Sequence, residues 1–431
     1  MKRVISLLLV LILAFSLVSS SQVANATGKI IYGDLNDDGV IDMKDMLVIR
    51  LHLARILGKS EFNATNADIN SDGKINAMDA MAIIRHISKE KEIVQSDIYA
   101  ISALKNSINL YGRAQYSEDD TILLSQTASG FDFISDCAGN IEVYLKTSGN
   151  GKLNITVDGD YENSYEVDVS AKNTKYLVQT DLAFGQHHFL IQKATEHGVN
   201  GLFEITGIAI GGEVGRKMRI PSQSRIEFYG DSLTAGYGNL TSNATTNAGG
   251  WNYQNGCKTY ATFASQMLNA DYAIAAASGH GVLGGFNNST QTADKYWDYT
   301  LVGSKTPWSR ADYDADLIVI NYGTNDNSRV TNSGTKLDTA AYKAKVKSLV
   351  EGMRAENPDV QILWVLGMAY ISETSDVVTS IKAVADELDY MNFYYAPSRT
   401  NGGDWHPSVA DHKYHAENLV NKINELYPDM F

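Results

Sequence analysis

Arg225-Ile226-Glu227-Phe228-Tyr229 runs directly into Gly230-Asp231-Ser232-Leu233, a short apolar segment closed by a tight turn that carries a serine. A serine at a strand end stands at the mouth of a sheet, where a nucleophile must sit. Four residues are a weak motif alone, because turn serines are common on surfaces. The surrounding pattern strengthens it. Tyr272 to Ala276, Leu317 to Asn321 and Ile362 to Leu366 are further short apolar runs. They alternate with helical segments at Thr259 to Leu268, Leu337 to Asn357, Ser375 to Leu388 and Val409 to Leu426. Such alternation predicts a parallel sheet covered by helices, an α/β/α domain whose reactive groups lie at the carboxyl ends of the strands.

Three more blocks fall near such ends. Ala277-Ser278-Gly279-His280-Gly281 follows the Tyr272 run, and Gly279 lets a backbone N–H approach a reacting atom. Asn321-Tyr322-Gly323-Thr324-Asn325-Asp326 closes another run, and Asn325 carries an amide able to donate to an oxyanion. Asp404-Trp405-His406-Pro407 precedes the last helix, where His406 is the candidate general base for Ser232. Asp231, beside the serine, reads as a brace of the turn rather than a proton carrier.

These blocks, in this order and spacing from about Ser224 to Phe431, resemble the SGNH or GDSL hydrolases. The resemblance implies Ser232 as nucleophile with its own N–H in the oxyanion hole, Gly279 and Asn325 completing that hole, and His406 as the base. Most of that family place the acid three residues before the histidine. Here position 403 is Gly, and the nearby acid is Asp404. With a β-rich segment in front, Asp-Trp-His-Pro is similar to the carbohydrate esterase family 2 acetylesterases, which implies a Ser-His dyad or a triad with Asp404 as orienter. Both stay open, since the acid must reach the Nδ1 proton of His406.

Around this centre, Trp405 reads as a wall on which a sugar stacks or which shapes the acyl pocket, with core packing as the alternative. Trp308 and His280 are further candidate substrate contacts, with core packing as the alternative for Trp308; Trp251 and Tyr260 follow at lower rank. His412 and His415, on the final helix, read as exposed or partly packed and not as metal ligands. His187 and His188 read as surface.

Upstream, residues 95–220 show short alternating runs such as Ile141 to Leu145 and Leu153 to Val157, punctuated by Gly, Asn and Asp. They predict an all-β, jelly-roll-like sandwich. Lys89 to Glu92 reads as a charged linker.

Before it, residues 32–90 hold an internal repeat. Asp34-Leu35-Asn36-Asp37-Asp38-Gly39-Val40-Ile41-Asp42-Met43-Lys44-Asp45 returns as Asp68-Ile69-Asn70-Ser71-Asp72-Gly73-Lys74-Ile75-Asn76-Ala77-Met78-Asp79. Each copy leads into an apolar helical stretch, Met46 to Ile56 and Ala80 to Ile87. Calcium takes oxygens from positions 1, 3, 5, 7, 9 and 12 of such a loop, with glycine at the sharp turn. The first copy offers Asp34, Asn36, Asp38, the Val40 carbonyl, Asp42 and Asp45; the second offers Asp68, Asn70, Asp72, the Lys74 carbonyl, Asn76 and Asp79. Gly39 and Gly73 fill the turns. The duplicated loop-helix unit, with Asp at position 12, resembles the dockerin modules of cellulosomes. That resemblance implies two structural calcium ions and a cohesin domain of a scaffoldin as partner. Loop positions 10 and 11, Met43-Lys44 and Ala77-Met78, depart from the Ser-Thr pair of the best-known type and leave the cohesin type open.

The totals are consistent with this division. At 431 residues the chain exceeds one ordinary core. A formal net charge of −14 excludes a phosphate-reading basic face, so no nucleic-acid partner is expected. Lys2-Arg3, an apolar Leu7 to Val18 and Ala24-Asn25-Ala26 predict a signal peptide over residues 1–26, hence secretion and no membrane association after cleavage. Cys137 and Cys257 are the chain's two cysteines, too few for a disulfide framework; two buried thiols are preferred over one bridge. The reading is a secreted, cellulosome-associated carbohydrate esterase acting on acetylated polysaccharide, xylan or mannan, with no cofactor for catalysis. The alternatives are an SGNH lipase or thioesterase, and a polysaccharide-binding module on an esterase fold.

Overall fold

The computed structural model describes residues 29–69, 74–90, 93, 95–214, 224–304, 306–334 and 336–431. The expected leader over residues 1–26 lies outside them, as do Asn70, Asp72 and Gly73 of the second loop and Lys91 and Glu92 of the expected linker.

The C-terminal half holds a five-stranded, wholly parallel sheet in the order Asp271–Ala276, Arg225–Gly230, Leu317–Asn321, Gln361–Leu366, Met391–Tyr395. Successive side chains alternate between two cores. Phe228, Val319 and Val365 pack on one face, with Tyr260, Ala264 and Leu419 of the helices Tyr260–Met267 and Val409–Leu426. Tyr229, Ile320 and Trp364 pack on the other, with Val346, Val350 and Ile381 of the helices Thr339–Glu356 and Asp376–Ala385. Burial on both faces is why these strands read as continuous apolar runs. The fifth strand, Met391–Tyr395, and the polar helix Thr324–Ser333 were not anticipated.

The preceding β domain is antiparallel. Its longest strands, Gly130–Thr147 and Lys175–Lys193, pair along most of their length with register shifts around Cys137 to Glu142. Phe131, Phe133, Val143, Leu153, Phe189 and Ile205 meet in its core. Cys137 and Cys257 are both free, buried thiols.

The two repeat helices are Met43–Leu53 and Ala77–Ile87, each beginning three residues before its anticipated start. The reason is capping. Asp42 and Asn76 cap these helices, and Asp45 and Asp79 complete reciprocal boxes from the third helical position, so the ends of the two loops double as helix starts. Besides the expected linker, the repeat also touches the β domain directly. Lys29–Ile30 pairs with Ser96 and Asp97 of the β domain, and the repeat's core cluster continues into Ala209, Ile98 and Tyr144. Among the described residues no helix is long and apolar enough to cross a membrane.

Candidate active site

The strand Arg225–Gly230 ends against a short helix, Ser232–Ala235, so Ser232 stands at the first helical position. Gly230 is required there, because a Cβ would lie 2.0 Å from Thr234 Oγ1. Asp231 caps the turn, its Oδ1 accepting from Leu233 N at 3.1 Å, which is the bracing role read from sequence. Burial pushes the Asp231 carboxyl up to about 7 and that of Asp326 up to about 6.

His406 Nε2 lies 2.9 Å from Ser232 Oγ. The histidine arrives on a turn pinned by main-chain bonds from Gly403 N to Gly238 O, Asp404 N to Thr246 O and Trp405 N to Ala244 O. Of the two open arrangements, a dyad or a triad with Asp404, the geometry places the Asp404 carbonyl rather than its carboxylate at Nδ1. Nδ1 of His406 lies 3.0 Å from the main-chain oxygen of Asp404. The Asp404 carboxylate instead accepts from Tyr237 Oη at 2.8 Å and Ala248 N at 2.9 Å. The left-handed backbone at Asp404, φ 49°, accompanies this division between carbonyl and side chain. Tyr237 also packs its ring 4.7 Å from that of His406. Burial lowers the His406 pKa, opposed by the Asp404 carbonyl and carboxylate.

Ala277 N donates to Gly230 O at 3.1 Å, which ties the turn after Asp271–Ala276 to the serine turn. Gly279 there has φ +77°, a conformation that favours glycine. Among the described residues neither Ser232 N nor Gly279 N has an internal acceptor. Asn325, buried at the start of its helix, donates its amide to Asp231 Oδ2 at 3.0 Å and His280 O at 2.8 Å. Asp326 accepts from the main-chain N–H groups of Val282, Leu283 and Gly284, which fixes the following loop.

Trp405 is 56% exposed beside His406, so it is not a core tryptophan. Two expected substrate contacts are corrected. Trp308, 9% exposed, donates its indole N–H to Glu227 and packs under Arg113. It leads into the amino end of the Leu317–Asn321 strand, away from the carboxyl edge where Ser232 sits. His280, 5% exposed, is held by Ser278 O at 3.0 Å and by the edge of Tyr296; its side chain packs into the loop. His412 and His415 are buried rather than partly packed. His412 Nδ1 accepts from Tyr260 N, and His415 Nε2 donates to Arg399 O.

Sequence reasoning missed Tyr237 and Glu196. Glu196 belongs to the β domain, yet its carboxylate accepts from Ser278 N and Ser278 Oγ, each at 2.6 Å. No local signal joins residues 82 positions apart. Arg113 and Asn255 bind the two domains elsewhere. Arg113 donates to Tyr229 Oη and to Trp297 O and Tyr299 O, and Asn255 donates to Asn154 and Glu166.

The repeat loops have the donor chemistry of a hard-cation site. Asp34 and Asp45 are buried, and burial raises both carboxyls. Lys44 Nζ lies 2.8 Å from Asp38 and 3.6 Å from Asp42, a positive charge standing in among the candidate ligands. Among the described residues no three His, Cys, Asp or Glu side chains converge on one point; the candidate first-loop set also draws on the Asn36 amide and the Val40 carbonyl. In the second copy Asp79 accepts from Ile69 N and Asn76 N, as Asp45 does from Leu35 N and Asp42 N.

Residues 32–88 match the family model for the dockerin type I domain, residues 110–217 that for the carbohydrate esterase 2 N-terminal domain, and residues 228–419 that for the GDSL-like lipase/acylhydrolase family. Cellulase/esterase CelE of Acetivibrio thermocellus is 29% identical over 414 residues, which cover 92% of this chain and 49% of that protein. The chain therefore spans about half the length of that relative. An acetylxylan esterase / glucomannan deacetylase of Cellvibrio japonicus is 25% identical over 66% of this chain and 84% of its own. Among solved structures, a family two carbohydrate esterase from Clostridium thermocellum in complex with cellohexaose shares the fold with a TM-score of 0.68 at 24% identity, covering 74% of this chain and 99% of that one. An acetyl xylan esterase from Butyrivibrio proteoclasticus gives 0.66 at 17%, covering 77% and 99%.

Proposed function

Because the chain joins a type I dockerin domain to a GDSL-like carbohydrate esterase 2 unit, we propose that it is a secreted, cellulosome-associated esterase that removes O-acetyl groups from plant cell-wall polysaccharide, xylan or mannan. The observation that carries the reading is the 2.9 Å contact between Ser232 Oγ and His406 Nε2 at the carboxyl edge of the sheet. In this reading Ser232 Oγ attacks the acetyl carbonyl carbon while its proton passes to Nε2. Nδ1 keeps its proton and donates it to the Asp404 carbonyl oxygen, which holds the tautomer and ring orientation. The oxyanion is received by the N–H groups of Ser232 and Gly279, and by Asn325 once its amide gives up one of its two internal bonds. Collapse breaks the bond to the sugar oxygen, which takes the proton from Nε2. Water then attacks the acyl-enzyme, His406 again carries the proton, and acetate leaves.

Modules over 32–90, 95–220 and 221–431 divide the work. Asp34, Asn36, Asp38, the Val40 carbonyl, Asp42 and Asp45, and in the second copy Asp68, Asn70, Asp72, the Lys74 carbonyl, Asn76 and Asp79, would hold calcium, which would supply positive charge among these oxygens. The helices that follow the two loops would face a cohesin domain.

A second reading, a cleft that grips polysaccharide without turnover, is favoured by the exposed ring of Trp405 beside the reactive pair. The solved relative carrying cellohexaose is consistent with it. Acetate release from acetylated xylan, acetylated glucomannan and an aryl acetate, with Ser232→Ala as control, tests both. Serine-dependent release supports the esterase. No release, with retention of the chain on polysaccharide, replaces it by the binding reading.

A further inference from the structure

We propose that Glu196, on the β domain, is a positioning residue for the oxyanion hole of the catalytic domain. The inference rests on the esterase reading and adds to it a role for the preceding domain. Glu196 follows the strand Lys175–Lys193 and is 3% exposed. Burying a carboxylate is costly unless its oxygens are satisfied. Here Oε2 accepts from Ser278 N at 2.6 Å, and Oε1 accepts from Ser278 Oγ at 2.6 Å and from Gln254 Nε2 at 3.0 Å. Gln254 returns the contact, its Oε1 accepting from Glu196 N at 3.2 Å. The carboxylate therefore grips both donors of one residue, and that residue immediately precedes Gly279.

The grip has a direction. Gly279 sits at φ +77°, and an added Cβ would meet only Phe286, at 3.9 Å, so side-chain packing does not hold its amide in place. Downstream the loop is fastened by Asp326. Upstream, Ala277 N is fixed to Gly230 O. Phe286 N holds the Gly279 carbonyl at 2.9 Å; on the amide side the link to these anchors is Ser278, and Glu196 holds it. An oxyanion donor displaced by about 1 Å loses on the order of a hundredfold in rate. A carboxylate suits this place because both oxygens accept. A glutamine must turn an N–H₂ toward a donor, either Ser278 N or the amide of Gln254.

Glu196→Gln is the test, read with an aryl acetate and with methylboronic acid, whose tetrahedral serine adduct puts an oxygen in the oxyanion hole. The expected result is a kcat lower by about 10- to 100-fold with KM within about twofold, and methylboronic acid weakened by a similar factor. Circular dichroism melting confirms the fold. If Glu196→Gln does not fold, Ser278→Ala carries the test, with an expected kcat loss of several-fold. Where both fold, the double variant is expected to lose little beyond Glu196→Gln alone, because both act through Ser278. Unchanged kcat and boronate affinity in a folded Glu196→Gln, or in Ser278→Ala where it stands in, overturns the inference; so does full additivity of the pair. Wild-type protein without serine-dependent hydrolysis sinks the esterase reading and this inference together. Wild-type turnover beside an undiminished variant sinks this inference alone.

Discussion

Replacing Asp404 by alanine separates two ways of holding His406. Nδ1 meets the Asp404 main-chain oxygen at 3.0 Å, whereas the carboxylate binds Tyr237 Oη and Ala248 N. The substitution keeps the carbonyl and removes one exposed negative charge and two side-chain bonds. Where a carboxylate is the partner of the base's Nδ1, disabling it costs about 10⁴ in kcat. Smaller terms operate here. An exposed charge near the imidazolium contributes about 1 kcal/mol or less after solvent screening. Each lost bond is worth about 1 kcal/mol in holding the 237–248 segment to the histidine turn, and only part of that reaches the transition state. A barrier increase of about 1 to 2 kcal/mol corresponds to roughly 5- to 30-fold in kcat/KM. The assay is aryl acetate hydrolysis across the acid limb, with a melting curve to confirm folding. Because the Asp404 carboxylate favours the charged imidazole, the limb should also move to lower pH in the variant. A folded Asp404→Ala with a loss near 10⁴ would refute the carbonyl as sufficient orienter.

Three further expectations can be checked directly. Burial lowers the His406 pKa and the base must be neutral, so the acid limb of wild-type kcat/KM should fall below the ordinary 6.5; a limb at or above that value contradicts the site's electrostatics. Asp231 and Asp326 are raised to about 7 and about 6, so the fold binds their protons more tightly than the unfolded chain does, and the stability they contribute is full below about 3.8 and lost as pH rises through 6 to 7. The buried, lowered histidines and Lys193, lowered to about 7, act in the opposite sense over neighbouring pH, so the carboxyls are read by difference: relative to wild type, the melting temperature of Asp326→Asn should gain as pH rises from 3.8 through about 6, and no relative gain would count against a buried, protonated carboxyl. Chelation should abolish retention on immobilised cohesin and spare aryl acetate hydrolysis; loss of both would mean that the cluster shared with Ile98, Tyr144 and Ala209 couples the repeat to the hydrolytic unit.

Much of the fold was legible because it is local. The apolar runs at 225–229, 272–276, 317–321 and 362–366 became strands of one parallel sheet, and the last helix covers the anticipated 409–426. Met391–Tyr395 escaped because its residues are mostly half-buried at a sheet edge, so no continuous apolar run marks it. The helix Thr324–Ser333 escaped because its Thr, Asn, Asp and Ser residues carry weak helix propensity. The dockerin helices were placed late because the loop aspartates were read as ligands alone, without their capping role.

The sequence by itself determined the strand-turn serine, the order of its partner blocks, the duplicated twelve-residue loops and the placement of Trp405 next to His406. Each is set by residues within a few positions of one another, through periodicity, caps and turn chemistry. Only the tertiary structure decided that His406 closes on Ser232 across 174 positions, that a carbonyl rather than a carboxylate meets Nδ1, that Trp308 and His280 are packed away, and that Glu196 reaches Ser278 from another domain. Such pairings depend on where strand ends meet and on which oxygen a left-handed turn presents. Distances of that kind are fixed by packing between elements, which leaves no trace in local spacing.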